Sequence, residues 1–224
     1  MMKSIFFGIV ALMFAAVVMN QEQASVLAEG STSGSAGGPD ITKWKKMDDS
    51  CTIKLHEQIK KEFDASIFYL QYAAYFANYK VNLPGFEKFF FDAASEERQH
   101  GMKLIEYALM RGQNPIDYNR FSLDFTNAAK KLETEPSTKT STPALKALEQ
   151  ALEREQIVTS SIRDVIKACE NETNDYHLVD YLTGEFLEEQ HQGQRDLAGK
   201  IAMLKKMLKT NPHLGDFIFD KQNM

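Results

Sequence analysis

Five residues of metal-binding type stand where a helical bundle would place apolar side chains: Glu62, Glu97 with His100, Glu155, and Gln190. Each interrupts a line of apolar residues spaced by threes and fours, the repeat of one helix face. A carboxylate on such a face gives up its hydration, and unless something compensates the charge the cost is several kcal/mol. A single such residue can be satisfied by a buried partner. Residues like these on four separate predicted helices point to a shared cation inside a bundle. Glu97-Arg98-Gln99-His100 is also a Glu-x-x-His segment. Residues three apart project from one helix face, so the carboxylate and the imidazole can grip one ion. Surface Glu/His pairs are common, and it is the place on the apolar line that gives this pair weight. Carboxylate and imidazole ligands with open positions suit iron that must meet dioxygen.

The fourth helix offers two registers. Glu188 and His191 spell a second Glu-x-x-His, which would build a symmetric site. Glu188, however, lies about 200° around a helix from Gln190, and Gln190 shares its line with Leu197, Ile201 and Leu204. The position that would carry the inward histidine of a symmetric site is Gly193. The periodicity therefore sets Gln190 inward and Glu188 outward. A neutral amide in place of a carboxylate–histidine pair makes the second position weaker, which suits iron passing through.

Four long helices must position these groups. The first starts near Asp48 or Ser50, both good caps, and runs to about Lys80 along Leu55, Ile59, Glu62, Ser66, Tyr69, Ala73 and Phe76. Asn82-Leu83-Pro84-Gly85 breaks it. The second runs from about Phe86 to Arg111 along Phe86, Phe90, Ala93, Glu97, His100 and Leu104, with Gly112 as its stop. From Gln113 to Pro143 no helical line persists; Pro115, Pro136 and Pro143 with Ser137 to Thr142 mark a long crossing connection. Such a connection lets the third helix run parallel to the second. The third follows Pro143 along Leu145, Leu148, Leu152, Glu155, Thr159, Ile162 and Ile166, and the fourth runs from about His177 to Lys209. Leu214, Phe217, Ile218 and Phe219, after Pro212, predict a short fifth C-terminal helix. The expected fold is all-α, a four-helix bundle with one long crossover. Six prolines and no regular glycine turn signals argue against an all-β chain.

Residues 1–28 read as a cleaved secretory signal: Lys3, then an apolar run from Ile5 to Met19, then a small-residue site at Val26-Leu27-Ala28. Residues 29–46, with the Gly/Ser-rich stretch Gly30 to Gly38, form a flexible extension. The bundle occupies 47–224, and no later stretch is long and apolar enough to span a membrane. The net charge of -5 and the lack of a Lys/Arg stripe with interleaved aromatics give no support to nucleic-acid binding. Cys51 and Cys169 are the two cysteines, an even count that favours a disulfide in a secreted chain. Cys51 opens the first helix and Cys169 closes the third, and an antiparallel arrangement of those helices puts both at one end. That allows a bridge within one chain; the competing arrangement joins neighbouring copies. Asn171-Glu172-Thr173 is an N-glycosylation acceptor.

Over residues 47 to 221 the chain resembles a ferritin heavy chain of the secreted type found in insects and other arthropods. The segments that carry the resemblance are Gln58-Ile59-x-x-Glu62 with Ala65-Ser66 and Tyr69, Glu96-Glu97-Arg98-x-His100, Glu155-x-x-Val158, Glu189-Gln190 and Phe219-Asp220-Lys221. The resemblance implies a ferroxidase with an intrasubunit di-iron site that oxidises Fe(II) with dioxygen and stores Fe(III) as mineral. It further implies a 24-subunit shell mixed with a light-chain subunit, in the secretory-pathway lumen of the ER and Golgi or outside the cell. It makes Glu62, Glu97 and His100 ligands of the first iron, Glu97 a bridge, Glu155 and Gln190 ligands of the second, and Tyr69 a phenol beside them. Gln99 and Met102 depart from the family's acidic mineral-nucleating cluster, and Thr183 replaces the second acidic residue of the entry channel, where Asp180 is kept. A non-catalytic structural shell subunit and a secreted helical module that binds a receptor are the alternatives. The first would have lost several of the five ligand positions, and the second does not explain inward carboxylates.

Overall fold

A computed structural model of the chain describes residues 47–114, 121–130, 132, 138, 140–211 and 214–224. The secretory signal and extension expected over residues 1–46 lie outside them, as do Pro115, Pro136, Ser137 and Pro212. Helix α1 (Asp49–Ala77) starts where the Asp48 side chain accepts the Ser50 N–H, which satisfies one of the orphan donors of the first turn. Helix α2 (Pro84–Met110) begins at Pro84 itself. The break therefore falls earlier than expected, over 78–83: the first helix ends at Ala77 rather than Lys80, and Pro84 joins the second, because a proline in the first turn forfeits no helical hydrogen bond. Helix α3 (Pro143–Thr173) is capped by Thr142 and ends on Asn174, whose φ of 53° is the left-handed terminator. Helix α4 (Tyr176–Tyr181), a π-helical segment (Leu182–Leu187) and α5 (Glu188–Thr210) follow without a break and form the fourth long helix. Helix α6 (Gly215–Asn223) is the short C-terminal one. No strand occurs among the described residues, and none of the described helices is long and apolar enough to cross a membrane.

Side-chain pairs fix the directions of the helices. Cys51 is joined to Cys169, Tyr69 to Glu155 and Tyr72 to Gln150, so α1 and α3 are antiparallel. The Ser66 hydroxyl donates to the Ala94 carbonyl, and Phe76 stacks on Phe86, so α1 and α2 are antiparallel as well. Helices α2 and α3 are therefore parallel, as the long connection requires. The described part of that connection runs alongside α1: Phe121 meets Phe63 edge-on, the Asp124 N–H donates to Asp64, and the Ala128 N–H donates to Gln71. Its Ala129 and Leu132 enter the core.

Helix α6 closes one end of the bundle. Asp220 accepts the Phe86 N–H at 2.9 Å and so caps α2, whose own N-cap Leu83 offers no side-chain oxygen. Gly85 is required at this approach, since a Cβ there would stand 2.3 Å from the Asp220 carbonyl oxygen. Thr142 donates to Asp216 at 2.8 Å while capping α3. Of the C-terminal apolar cluster only Phe219 is fully buried; Leu214 and Phe217 stay exposed.

The core divides into two apolar clusters. One holds Phe68 to Phe76, Phe86 to Ala94, Ala144 to Ala151, Leu197 to Leu208 and Phe219. The other holds Cys51 to Ile59, Leu104 to Ala108, Val158 to Cys169 and Leu178 to Phe186. Glu62, Glu97, His100, Glu155 and Gln190 belong to neither, and form a polar layer between them. All seven inward positions expected on α1 are buried. On α2 and α3, Ala94 and Val165 are buried while Ala93, Leu152 and Ile166 are half-buried. The drift follows from a repeat of 3.6 rather than 3.5 residues per turn.

Candidate metal centre

Helix α1 supplies Glu62 and Tyr69, α2 supplies Glu97 and His100, α3 supplies Glu155, and α5 supplies Gln190. All six are buried. Glu62, Glu97 and His100 each offer a ligand atom, and the three atoms lie within 4.8 Å of one another. The second oxygens of Glu62 and Glu97 have no hydrogen-bond partner. Buried polar atoms are almost always paired, so two orphaned carboxylate oxygens beside one imidazole could hold a cation. Burial pushes the Glu97 carboxyl well above the usual carboxylate range, and the charges of Glu62 and Glu155 push the same way. Glu62 is raised too, again chiefly by burial, with hydrogen bonds from Glu97 and Gln58 opposing. Burial thus favours the protonated form of these two carboxyls, and a bound divalent ion would favour the ionised form.

Neighbouring groups orient the ligands. The Gln58 amide donates to Glu62 at 2.7 Å, one turn away on α1. His100 Nε2 lies 3.1 Å from a Glu189 oxygen, and Nδ1 lies 3.9 Å from Glu62. A ring N–H given to a carboxylate fixes the tautomer and leaves the other nitrogen's lone pair for a metal. Glu189 thus turns Nδ1 of His100 toward Glu62, where it could bind a cation.

Glu155 sits beside this trio. Its Oε1 accepts from the Tyr69 hydroxyl, and its Oε2 accepts from the Gln190 amide at 2.8 Å. The Gln190 carbonyl accepts in turn from Thr159 at 2.6 Å, and Gln194 donates to Thr159 at 2.6 Å. Burial, followed by the Glu155 charge, holds the Tyr69 phenol well above its ordinary range, so it stays protonated as a donor. A cavity of about 320 Å³ opens onto the layer, lined among others by Glu96, Glu97, His100, Glu155, Glu189 and Gln190.

Every residue expected at the site is in or beside this layer. The register of the fourth helix is the one with Gln190 buried; Glu188 and His191 are exposed. Gln99, Met102, Asp180 and Thr183 are exposed and do not line the cavity. Sequence reasoning gave no role to Gln58, Glu96 and Glu189. The signal was adjacency: Glu96 precedes Glu97, Glu189 precedes Gln190, and Gln58 lies four residues before Glu62.

The ferritin-like domain model matches residues 53–207. The ferritin heavy chain of Aedes aegypti is 55% identical over 224 residues, which is 100% of both chains. That of Papilio xuthus is 46% identical over 223 residues, 99% of this chain and 97% of its own. The crystal structure of Trichoplusia ni secreted ferritin superposes with a TM-score of 0.71 at 48% identity, covering 86% of this chain and 97% of that one. With a bundle of this topology around a buried Glu62–Glu97–His100 trio, and with relatives this close over its whole length, the chain belongs to the ferritin family.

Proposed function

We propose that this ferritin is a heavy-chain-type ferroxidase, binding Fe(II) as substrate at the polar layer and oxidising it with dioxygen before the Fe(III) is stored as mineral. The observation that carries this reading is the buried trio of Glu62, Glu97 and His100, with the second oxygens of both carboxylates unpartnered. These three residues hold the first Fe(II). Glu97, on the same helix face as His100, bridges toward the second, which Glu155 and Gln190 hold. A metal-activated site requires open coordination positions, and the cavity beside Glu96 and Glu189 gives dioxygen and incoming iron a route to them. Each Fe(II) gives up one electron, so a pair delivers the two that reduce dioxygen to hydrogen peroxide. Tyr69 keeps its proton, donates it in a hydrogen bond to Glu155 and steadies that carboxylate.

Ferritins form oligomeric shells. For this chain we favour 24 subunits, mixed with a light-chain partner. The exposed Leu214 and Phe217 at α6 fit a contact between subunits. We read residues 1–28 as a secretory signal and 29–46 as an extension, which would direct the protein to the secretory lumen or outside the cell. The Cys51–Cys169 bridge within one chain suits that compartment, and Asn171 is exposed in the last turn of α3 for glycan attachment.

The test is Glu62→Lys with His100→Gly, which removes two ligands of the first iron. Rapid Fe(II) oxidation in air should vanish while far-UV circular dichroism stays helical. An unaltered oxidation rate would remove the site assignment.

A further inference from the structure

A file of rings leads away from the metal centre toward the end of the bundle that holds the disulfide. The Phe186 ring centroid lies 5.6 Å from that of His100, Tyr181 lies 5.6 Å from Phe186, and Tyr107 stacks on Tyr181 at 4.9 Å. His177 stacks with Tyr107 in turn, at 5.6 Å. Phe186 and Tyr107 are buried, whereas His177 reaches solvent. The π segment makes the file continuous. Tyr181 and Phe186 are five residues apart, positions that diverge by about 140° around an α-helix. Bonding from i to i+5 widens the turn and brings them together.

The outer end of the file carries a proton acceptor. Arg111 Nη1 lies 2.9 Å from the Tyr107 oxygen, and His177 Nδ1 lies 2.8 Å from it. A guanidinium only donates, so Arg111 takes one acceptor position of the phenol, and with His177 as its Nε2–H tautomer the Tyr107 hydroxyl donates to Nδ1. Asp175 holds Arg111 in place through two contacts of 2.9 Å. Tyr107 is therefore a phenol in contact with both a base and a route of packed rings to the metal centre.

We propose that Tyr107 is a redox residue, supplying the electron that a missing second Fe(II) would have given. The inference rests on Glu62, Glu97 and His100 being iron ligands. Single-iron turnover is built into the site: both Glu155 oxygens already accept hydrogen bonds and Gln190 brings no charge, so the second position binds Fe(II) more weakly than the first. Dioxygen needs two electrons and two protons to become hydrogen peroxide. One electron comes from the bound Fe(II), which becomes Fe(III). The other leaves Tyr107 by way of Tyr181 and across the Phe186 ring, which has no hydroxyl and is not itself oxidised. The phenol proton of Tyr107 moves to His177 Nδ1, and solvent supplies the two protons of the peroxide. The products are Fe(III), a neutral Tyr107 phenoxyl radical, protonated His177 and hydrogen peroxide, and no one-electron-reduced oxygen escapes.

The experiment loads the assembled protein anaerobically with one Fe(II) per chain, mixes it with dioxygen and freezes it during turnover. Electron paramagnetic resonance reads the radical, while absorbance of parallel samples reads iron oxidation. Wild type should show a phenoxyl signal that weakens when the loading is raised to two Fe(II) per chain. The signal should persist in Tyr69→Phe, whose phenol is the nearer competitor, and be lost in Tyr107→Phe, with circular dichroism confirming that both variants fold. A signal kept in Tyr107→Phe, or a wild type that oxidises single Fe(II) with no phenoxyl signal, would overturn the proposal. A wild type that fails to oxidise Fe(II) at all would overturn the reading of the site, and the inference with it.

Discussion

Replacing both cysteines by alanine should cost the chain several kcal/mol of stability. Cys51 and Cys169 are fully buried and their sulfurs are joined across 118 residues of sequence. In the chain-entropy treatment, closing a loop of that length removes about 5 kcal/mol of freedom from the unfolded chain. Loss of the two buried sulfurs adds a little, and residual structure in the unfolded state subtracts a little, which leaves about 4–5 kcal/mol. Guanidinium unfolding of Cys51→Ala with Cys169→Ala, followed by far-UV circular dichroism at matched protein concentration, should show it. With a denaturant slope of about 4–5 kcal/mol/M, the midpoint should fall by about 1 M. The wild type should also run as a monomer in non-reducing electrophoresis after full denaturation. An unchanged midpoint, or a covalent dimer on the gel, would refute the reasoning.

Other consequences follow from the metal layer and its supports. Gln190→Leu should lower the number of Zn(II) ions bound per chain in calorimetry, whereas Glu188→Ala and His191→Ala should leave it unchanged, because those side chains point to solvent. Gly85→Ala should lower the thermal midpoint by prising α6 from α2, since its Cβ meets the Asp220 carbonyl at 2.3 Å; overpacking of this sort costs about 1–3 kcal/mol. Glu62 and Glu97 are both raised by burial, so the metal-free folded chain holds protons more tightly than the unfolded one. Their stabilising contribution is full below the unfolded carboxyl pKa and is lost as pH rises through the folded values. Zn(II) binding should accordingly release protons at pH values below those folded pKa values, read as a calorimetric enthalpy that varies with the buffer's ionisation heat.

Much of this architecture was legible because the helices are long and their lines unbroken. On α1 a line of seven inward residues needs no tertiary information, and Glu62 stands out on it as a charge without solvent. The sense of the connection was legible too, since a segment of that length frees α3 to lie parallel to α2. Where the sequence fell short, the cause was local geometry. The π segment interrupts the fourth helix over Leu182–Leu187 with no proline to announce it, so the pairing of Tyr181 with Phe186 does not follow from an α-helical repeat. Glu189 projects from the solvent side of Gln190 yet reaches His100 because the cavity opens there. Periodicity cannot report that reach. Nor could it show that Asp220 caps α2, because the two residues involved are 134 apart in sequence.

The most direct test of the account is where iron binds. Crystals of the protein soaked anaerobically with Fe(II) and measured at the iron absorption edge should show an anomalous peak bounded by Glu62, Glu97 and His100. A second, weaker peak should lie toward Glu155 and Gln190. Iron found only elsewhere on the chain, with this layer empty at saturating Fe(II), would contradict it.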